Sequence, residues 1–493
     1  MTPGPKPPRA QPPRFQLARF VLLAREQQQR ARRVSRSATL AALLLALGGC
    51  ASYSPRPLAA HADSATALAQ LRVNVHDIPL PRLAAQPLDL DRPLPMPAVA
   101  ALAVLNNPQL RLARDRLGIA RAQAFAAGLL PDPRLSASRA FAGNSAGATT
   151  TAFSYGLDFD LGALLTRPAA RAAARAHVRS VDLDLLWQEW QTASQAQLLY
   201  VQLVGLARRQ QLLREEASLT ALRLRRLRAA AERGELPRTD ADAQLARLQA
   251  LRQSIADARR SRVNLQGQLH ALLGLAPHVV LRLAGMPRLP ANDAAQVGSA
   301  LQRVALIRPD LLALQAGYRS QEQSLREAVL AQFPSISVGL TRARDNTDVN
   351  TIGFGVSFNL PLFNGARGRV AVQRATRRQL FDAYQLRLDQ TRADAAQALR
   401  NLDLLRREAA SMRASLPDLR SAARAAELAL RRGEITLPQA QAQRQALLDQ
   451  RLALQQVQQQ QAEQAVALDL LTGTGLYRTQ PAGAASHKPS GQD

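Results

Sequence analysis

The chain has 493 residues, room for two or three ordinary domains, with a formal charge of +27 and aromatic residues at only 4%. Alanine, leucine, glutamine and arginine dominate, which is the composition of long packed helices rather than of thick mixed cores. Among its 64 basic residues only Lys6 and Lys488 are lysine. The arginines are spread among Asp, Glu and Gln as on solvated helix faces, so the charge argues against a clustered nucleic-acid stripe and no nucleic-acid partner is expected.

At the start, Arg30, Arg32, Arg33 and Arg36 precede an apolar run from Ala38 to Leu47, then Leu47-Gly48-Gly49-Cys50. A basic region, a short apolar region and small residues before a cut mark residues 1–49 as a signal peptide, over-long at its Pro- and Gln-rich first 29 residues. The apolar run is too short for a transmembrane helix. Leu-Gly-Gly-Cys resembles a bacterial lipobox, which makes Cys50 the lipidated first residue of the mature chain. Ala51, rather than Asp, then permits sorting to the outer membrane. Cys50 is the only cysteine, so no intrachain disulfide and no multi-thiolate metal site is expected. Residues 50–97 are rich in proline and read as an extended, lipidated tether. Helical periodicity then runs from Ala98 to Leu130 and ends at Pro131 and Pro133.

From here the sequence says nearly the same thing twice, roughly 200 residues apart. Asn107-Pro108-Gln109-Leu110 returns as Arg308-Pro309-Asp310-Leu311, Pro133 as Pro334, Tyr155-Gly156-Leu157 as Phe354-Gly355-Val356, and Arg233-Gly234-Glu235 as Arg432-Gly433-Glu434. The expected domains are a first repeat over 98–274, a linker over 275–297, a second repeat over 298–473 and a disordered tail over 474–493. Each repeat reads helix, two short strands and a helical hairpin.

The strands alternate with period two. Phe153, Tyr155, Leu157, Phe159 and Leu161 alternate with Ser154, Gly156, Asp158 and Asp160. In the second copy Ile336, Val338 and Leu340 alternate with Ser337, Gly339 and Thr341, and Ile352, Phe354, Val356, Phe358 and Leu360 with Gly353, Gly355, Ser357 and Asn359. The remaining strand, 135–142, is the poorest, because Arg139 falls on the Leu135 face. On any single strand the alternation equally fits one face of a soluble sandwich. Together the strands have the length and facing of a transmembrane barrel, apolar toward lipid and small or polar toward a lumen. Four strands cannot close, and lipid forbids an open sheet edge. Three chains giving twelve strands is the smallest simple multiple with a water-filled lumen, so a homotrimer is expected.

After each strand pair a helical stretch follows, Ala169 to Arg233 and Ala366 to Arg432, each about 100 Å long if unbroken. Each turns at Gly234 or Gly433 into a returning helix begun at Pro237 or Pro438. Leu248, Leu251, Ile255, Ala258, Arg262, Leu265, Leu269 and Leu272 form a heptad seam, matched by Leu447, Leu454, Val457, Leu468 and Leu471. The fold class is therefore mainly α with a small transmembrane β part, four strands per chain completing a twelve-stranded barrel in a trimer, with long coiled-coil helical hairpins.

Over Ala98 to Gly473 these pieces resemble the outer membrane efflux protein family, the TolC-like channels. The resemblance rests on Asn107-Pro108-Gln109-Leu110, on Leu360-Pro361-Leu362-Phe363-Asn364-Gly365 after the fourth strand, and on the two Arg-Gly-Glu turns. It implies a trimeric channel, a twelve-stranded barrel in the outer membrane continued by a long α-helical coiled-coil tunnel across the periplasm, docked on a periplasmic adaptor coupled to an inner-membrane pump of the resistance-nodulation-division class. It places Gly234, Glu235, Gly433 and Glu434 at the adaptor-docking tips, although glycine also simply ends helices. Relatives carry acidic residues six and nine positions after the second tip glycine; here Gln439 and Ala442 stand there, and Asp240 holds the sixth position of the first copy. Asp240 and Gln439 are therefore the gate candidates.

Asp158 and Asp160 are candidates for lining the barrel lumen, or for solvated strand ends at its rim. No catalytic residue, cofactor or metal site is expected: His61, His76, His177, His270, His278 and His487 are scattered, without metal-ligand spacing, and no phosphate loop occurs. Trp187 and Trp190 read as packing residues. The function expected is a passive conduit for small molecules or metal ions, not an enzyme; the alternative is an outer-membrane-anchored coiled-coil scaffold without a pore.

Overall fold

A computed structural model describes residue 4 and residues 53–141, 150–235, 237–287 and 293–473. The expected signal peptide apart from residue 4, Cys50, the loop 142–149 and the tail 474–493 lie outside the described residues. The chain divides into two units, Met1–Ala62 and Asp63–Asp493. In the first, the described residues 53–62 form no helix or strand and are exposed. The second contains every described helix and strand.

Its α-helices are α1 (Pro81–Ala84), α2 (Met96–Asn106), α3 (Pro108–Ala126), α4 (Gly162–Glu232), α5 (Arg238–Leu273), α6 (Ala294–Gln302), α7 (Val304–Ile307), α8 (Pro309–Leu330), α9 (Arg367–Arg431) and α10 (Leu437–Thr472). The strands are β1 (Arg134–Ala140), β2 (Ala152–Asp160), β3 (Ser335–Arg344) and β4 (Asn350–Asn359). The succession helix, two strands, very long helix, returning helix thus occurs twice, as α3-β1-β2-α4-α5 and as α8-β3-β4-α9-α10.

The helical stretch expected over Ala98–Leu130 is in fact two helices broken at Asn107. Pro108 has no N–H to continue a ladder and holds the residue before it extended, and Asn107 lies at φ −60° and ψ 124°. Its side-chain oxygen accepts from the N–H groups of Gln109 and Leu110 at 2.8 and 3.0 Å, capping α3, while its amide donates to the Leu272 carbonyl at 2.9 Å. Before the break, Ala98 to Val104 are wholly buried. A helix apolar on every side belongs in a core, and α2 sits in the largest apolar cluster, with Trp190, Leu199 and Tyr200 of α4 and Leu269 and Leu273 of α5.

The tether expected over 50–97 is corrected from Asp63 onward. Between its prolines lie Leu71, Ile78, Leu80, Leu83 and Leu94, all buried in that same cluster. Two parallel bridges, Ala65 with Leu275 and Leu94 with Leu283, stitch the segment to the residues after α5. Proline leaves this stretch with only short helical turns such as α1 before α2 begins, without keeping it in solvent. The linker after α5 also packs across the helices: Leu275, Ala276 and Val279 are buried, and the Tyr200 hydroxyl donates to the carbonyls of Ala284 and Gly285 at 2.8 and 3.0 Å. Burial pushes that phenol up to about 12, so it stays a donor.

The long helices α4 and α9 contain 71 and 65 residues, about 100 Å each. Each is sealed to its returning helix by an apolar seam: Leu224, Ala241 and Leu248 between α4 and α5, Ala409, Leu416, Leu454 and Val457 between α9 and α10. Arg262, expected within the first seam, is exposed.

Candidate channel wall and hairpin tips

The four strands make one antiparallel sheet in the order β1-β2-β3-β4. Because paired residues in a sheet share a face, the register sorts the side chains. Leu135 stands opposite Leu157, Leu157 opposite Leu340 and Leu340 opposite Phe354, while Phe159, Val338 and Val356 make a second apolar row. The other face carries Ser136, Gly156, Thr341 and Gly353 in one row, and Ser138, Ser154, Ala343 and Thr351 in the next. Large apolar residues therefore occupy one surface from strand to strand and small or polar ones the other. The apolar side is solvent-exposed in the single chain: Leu135, Leu157, Leu340, Ile352, Phe354 and Phe358 are all exposed. Arg139, Arg342 and Arg344 interrupt it toward one end, Arg139 and Arg344 opposite Phe153 and Arg342 opposite Tyr155 and Ile352; the Arg139 guanidinium lies 5.0 Å from the centre of the Phe141 ring.

Asp158 and Asp160 both lie on the small-residue face and are exposed. Asp158 stands between Arg134 and Gly339. Asp160 has a second task, since its carboxylate accepts from the N–H groups of Gly162 and Ala163 at 2.8 and 3.3 Å and so starts α4. An anion at a helix N-terminus is favoured by the dipole.

The two tips are built alike. Gly234 and Gly433 both adopt φ of 75°, the left-handed region that a Cβ penalises. In each, the following glutamate N–H reaches back to the last turn, Glu235 to Ala230 and Glu434 to Ala429, both at 2.9 Å. The glycine N–H bonds Ala231 or Leu430. This double closure satisfies the final carbonyls of the helix. Arg233 grips Glu235 through two bonds of 2.6 and 2.9 Å, whereas Arg432 lies 3.7 Å from Glu434. The hydrogen bond from Arg233 holds the exposed Glu235 carboxyl below the usual carboxylate range.

The gate candidates differ in kind. Gln439 turns its side-chain oxygen back onto Thr436, accepting from its N–H at 2.9 Å and its hydroxyl at 3.1 Å, as the third residue of a capping box on α10. Asp240 sits in the first turn of α5, where its charge suits the helix N-terminus.

Two polar clusters were not foreseen from the sequence. The first joins the hairpins between tip and core: Arg444 of α10 faces Glu216 of α4 at 3.2 Å, Arg247 of α5 approaches the same carboxylate at 3.8 Å, and Arg223 of α4 pairs with Glu427 of α9 at 2.6 Å. The second lies where α8 begins. Arg308, 1% exposed, bonds Asp310 twice, at 2.9 and 2.6 Å; Arg387 of α9 bonds the same carboxylate at 2.7 Å. Both guanidiniums lie over the Trp187 ring, at 4.7 and 5.5 Å. The repeated Arg308-Pro309-Asp310 motif was the available signal, but its partners Trp187 and Arg387 come from distant helices. Among the described residues no group of histidine, cysteine or acidic residues could hold a metal ion, and no helix is long and apolar enough to cross a membrane.

Residues 300–474 match the family model described as outer membrane efflux protein. Solved structures that share this fold over most of the chain include three channels. The outer-membrane channel OprN is 17% identical, with 87% of this chain and 100% of that one covered and a TM-score of 0.68. The open state of the MtrE outer membrane channel of Neisseria gonorrhoeae is 18% identical, covering 87% and 99%, with a TM-score of 0.64. CusC, described for its transmembrane channel formation, is 18% identical, covering 86% and 99%, with a TM-score of 0.65. The fold is that of the outer-membrane efflux channels. No curated protein matches the chain at a significant level. In this fold β1 to β4 make the sheet, and α4, α5, α9 and α10 make the long hairpins.

Proposed function

We propose that the chain is the outer-membrane channel of a tripartite efflux pump, a passive homotrimeric conduit that carries small molecules or metal ions across the periplasm and outer membrane. The observation that supports it is the sheet: among the described residues β1 and β4 have no further strand beside them, and one face carries rows of large apolar residues while the other is small and polar. Such a sheet is stable in lipid only when its edges are paired into a closed wall. Water then fills the polar side, and Asp158 and Asp160 line it.

In this reading Cys50 carries the lipid anchor and the outer-membrane lipid surrounds the strands. The Arg-Gly-Glu tips, with Gly234, Glu235, Gly433 and Glu434, meet a periplasmic adaptor joined to an inner-membrane pump. The pump does the energised work, and the channel contributes a path and a gate near the tips, at Asp240 and Gln439. Adaptor contact opens it by shifting the population of hairpin arrangements. Ionic conductance across a planar lipid bilayer tests the conduit directly, because an anchored scaffold without a pore gives none.

A further inference from the structure

After α5 the chain crosses the helices as a short strand-like segment, and only one edge of it is used. The Leu94 N–H donates to the Arg282 carbonyl and the Ala284 N–H to the Leu94 carbonyl, both at 2.9 Å, around the parallel bridge of Leu94 with Leu283. Exposure alternates along the segment: Leu281 and Leu283 pack against the main core, while Val280, 74% exposed, and Arg282 face outward. Period two is strand geometry, in which successive residues aim their N–H and C=O groups at opposite edges. Those of Leu281 and Leu283 therefore point away from Leu94. Among the described residues these N–H and C=O groups have no hydrogen-bond partner.

That unpaired edge borders a cleft. The cleft encloses about 510 Å³ and touches every residue from Val280 to Gly285, with Leu203 and Val204 of α4 and Leu269 of α5 as an apolar wall. The Tyr200 hydroxyl fixes the far end of the segment through the Ala284 and Gly285 carbonyls. The charge at the cleft has one sign. Arg262 of α5 and Arg282 line it and are exposed, no carboxylate lines it, and among the described residues neither guanidinium is in an ion pair.

A strand edge with unpaired N–H and C=O groups is a template for another strand. We propose that this edge takes up an extended acidic segment of another protein by strand addition. The backbone of that segment bonds the N–H and C=O groups of Leu281 and Leu283. Alternation then divides its side chains into two sets: apolar ones that follow Leu281 and Leu283 onto the wall of Leu203 and Leu269, and Asp or Glu that reach Arg282 and Arg262. About six residues, at about 3.3 Å each, span the contact. The chain's own residues 474–493 have no such alternation, their one acid being Asp493.

The probe is a fluorescent hexapeptide alternating valine and glutamate, titrated into the full-length chain in detergent and followed by anisotropy. Beside it run the same peptide with lysine for glutamate, one N-methylated on the valines and one N-methylated on the glutamates. Saturable binding of the acidic peptide is expected, with none of the lysine form and a loss of about tenfold in the variant Arg262→Glu with Arg282→Glu. Only one of the two methylated forms should lose affinity, because alternate N–H groups point to opposite edges of a strand. Amide exchange at Leu281 and Leu283 should be fast in the free chain and slow in the complex. No saturable binding, or equal binding by the lysine form, would overturn the acidic partner. Equal affinity of the two methylated forms would overturn strand addition. Slow exchange at Leu281 and Leu283 without peptide would show the edge already held by the tail or by a second copy, and would overturn the proposal.

Discussion

At Asp310 two guanidinium groups converge on one buried carboxylate. Burial pushes the acid up, but the hydrogen bonds and charges of Arg308 and Arg387 together hold it below the ordinary aspartate range. A carboxyl whose folded value is depressed lends stability above its unfolded value, and that stability is lost as pH falls through the folded value. The helical part is therefore expected to melt at progressively lower temperature as pH drops below the usual aspartate range. Asp310→Asn should flatten that dependence. It should also cost about 3–5 kcal/mol at neutral pH, because Arg308 stays buried without its counter-charge; thermal unfolding followed by circular dichroism reads both. At the other end of the chain, Cys50→Ala is expected to abolish incorporation of a labelled fatty acid in cells. Label retained by the variant would rule out the anchor.

The long hairpins show what a sequence yields at the level of the element. Period two was legible in β2, β3 and β4 because each strand has a bulky face and a small one, and helical period was legible in the seams through Leu248 and Leu454. The returning turns were legible too, since Gly234 and Gly433 had to adopt a conformation other residues avoid. The break at Asn107 was harder, for apolar residues resume at Leu110 with helical spacing and a proline such as Pro108 also fits a kink within one helix. The packing of residues 63–97 was hidden because proline content speaks to conformation and not to burial. Hidden as well was the cluster around Glu216, whose partners Arg247 and Arg444 come from separate helices and which no local pattern marks. That cluster ties the two hairpins together, since Arg444 of α10 reaches Glu216 of α4 at 3.2 Å. Arg444→Ala leaves Glu216 with Arg247 at 3.8 Å and is expected to cost about 1–3 kcal/mol. Faster amide exchange in the tip-proximal half of α10, with α2 unchanged, is the expected signature; exchange unaltered in α10 would show that the seam holds without the ion pair.

For the whole molecule the proposal turns on the sheet. On the proposed conduit reading its apolar rows face lipid, its reverse offers water a lining of Ser, Gly, Thr and Asp, and its outer strands pair with those of other chains. The coiled-coil hairpins prolong whatever path those strands enclose by about 100 Å, a reach suited to crossing a periplasm. A poreless scaffold needs the hairpins but gives no reason for a two-faced sheet. The direct measurement is the current carried by the purified, full-length chain reconstituted in a planar lipid bilayer under an applied voltage. Discrete steps are expected, with a reversal potential in a salt gradient that shifts toward anions when Asp158 and Asp160 are both replaced by Asn. Bilayers that contain the inserted protein yet stay silent, even after Glu235 and Glu434 at the tips are neutralised, would contradict the conduit.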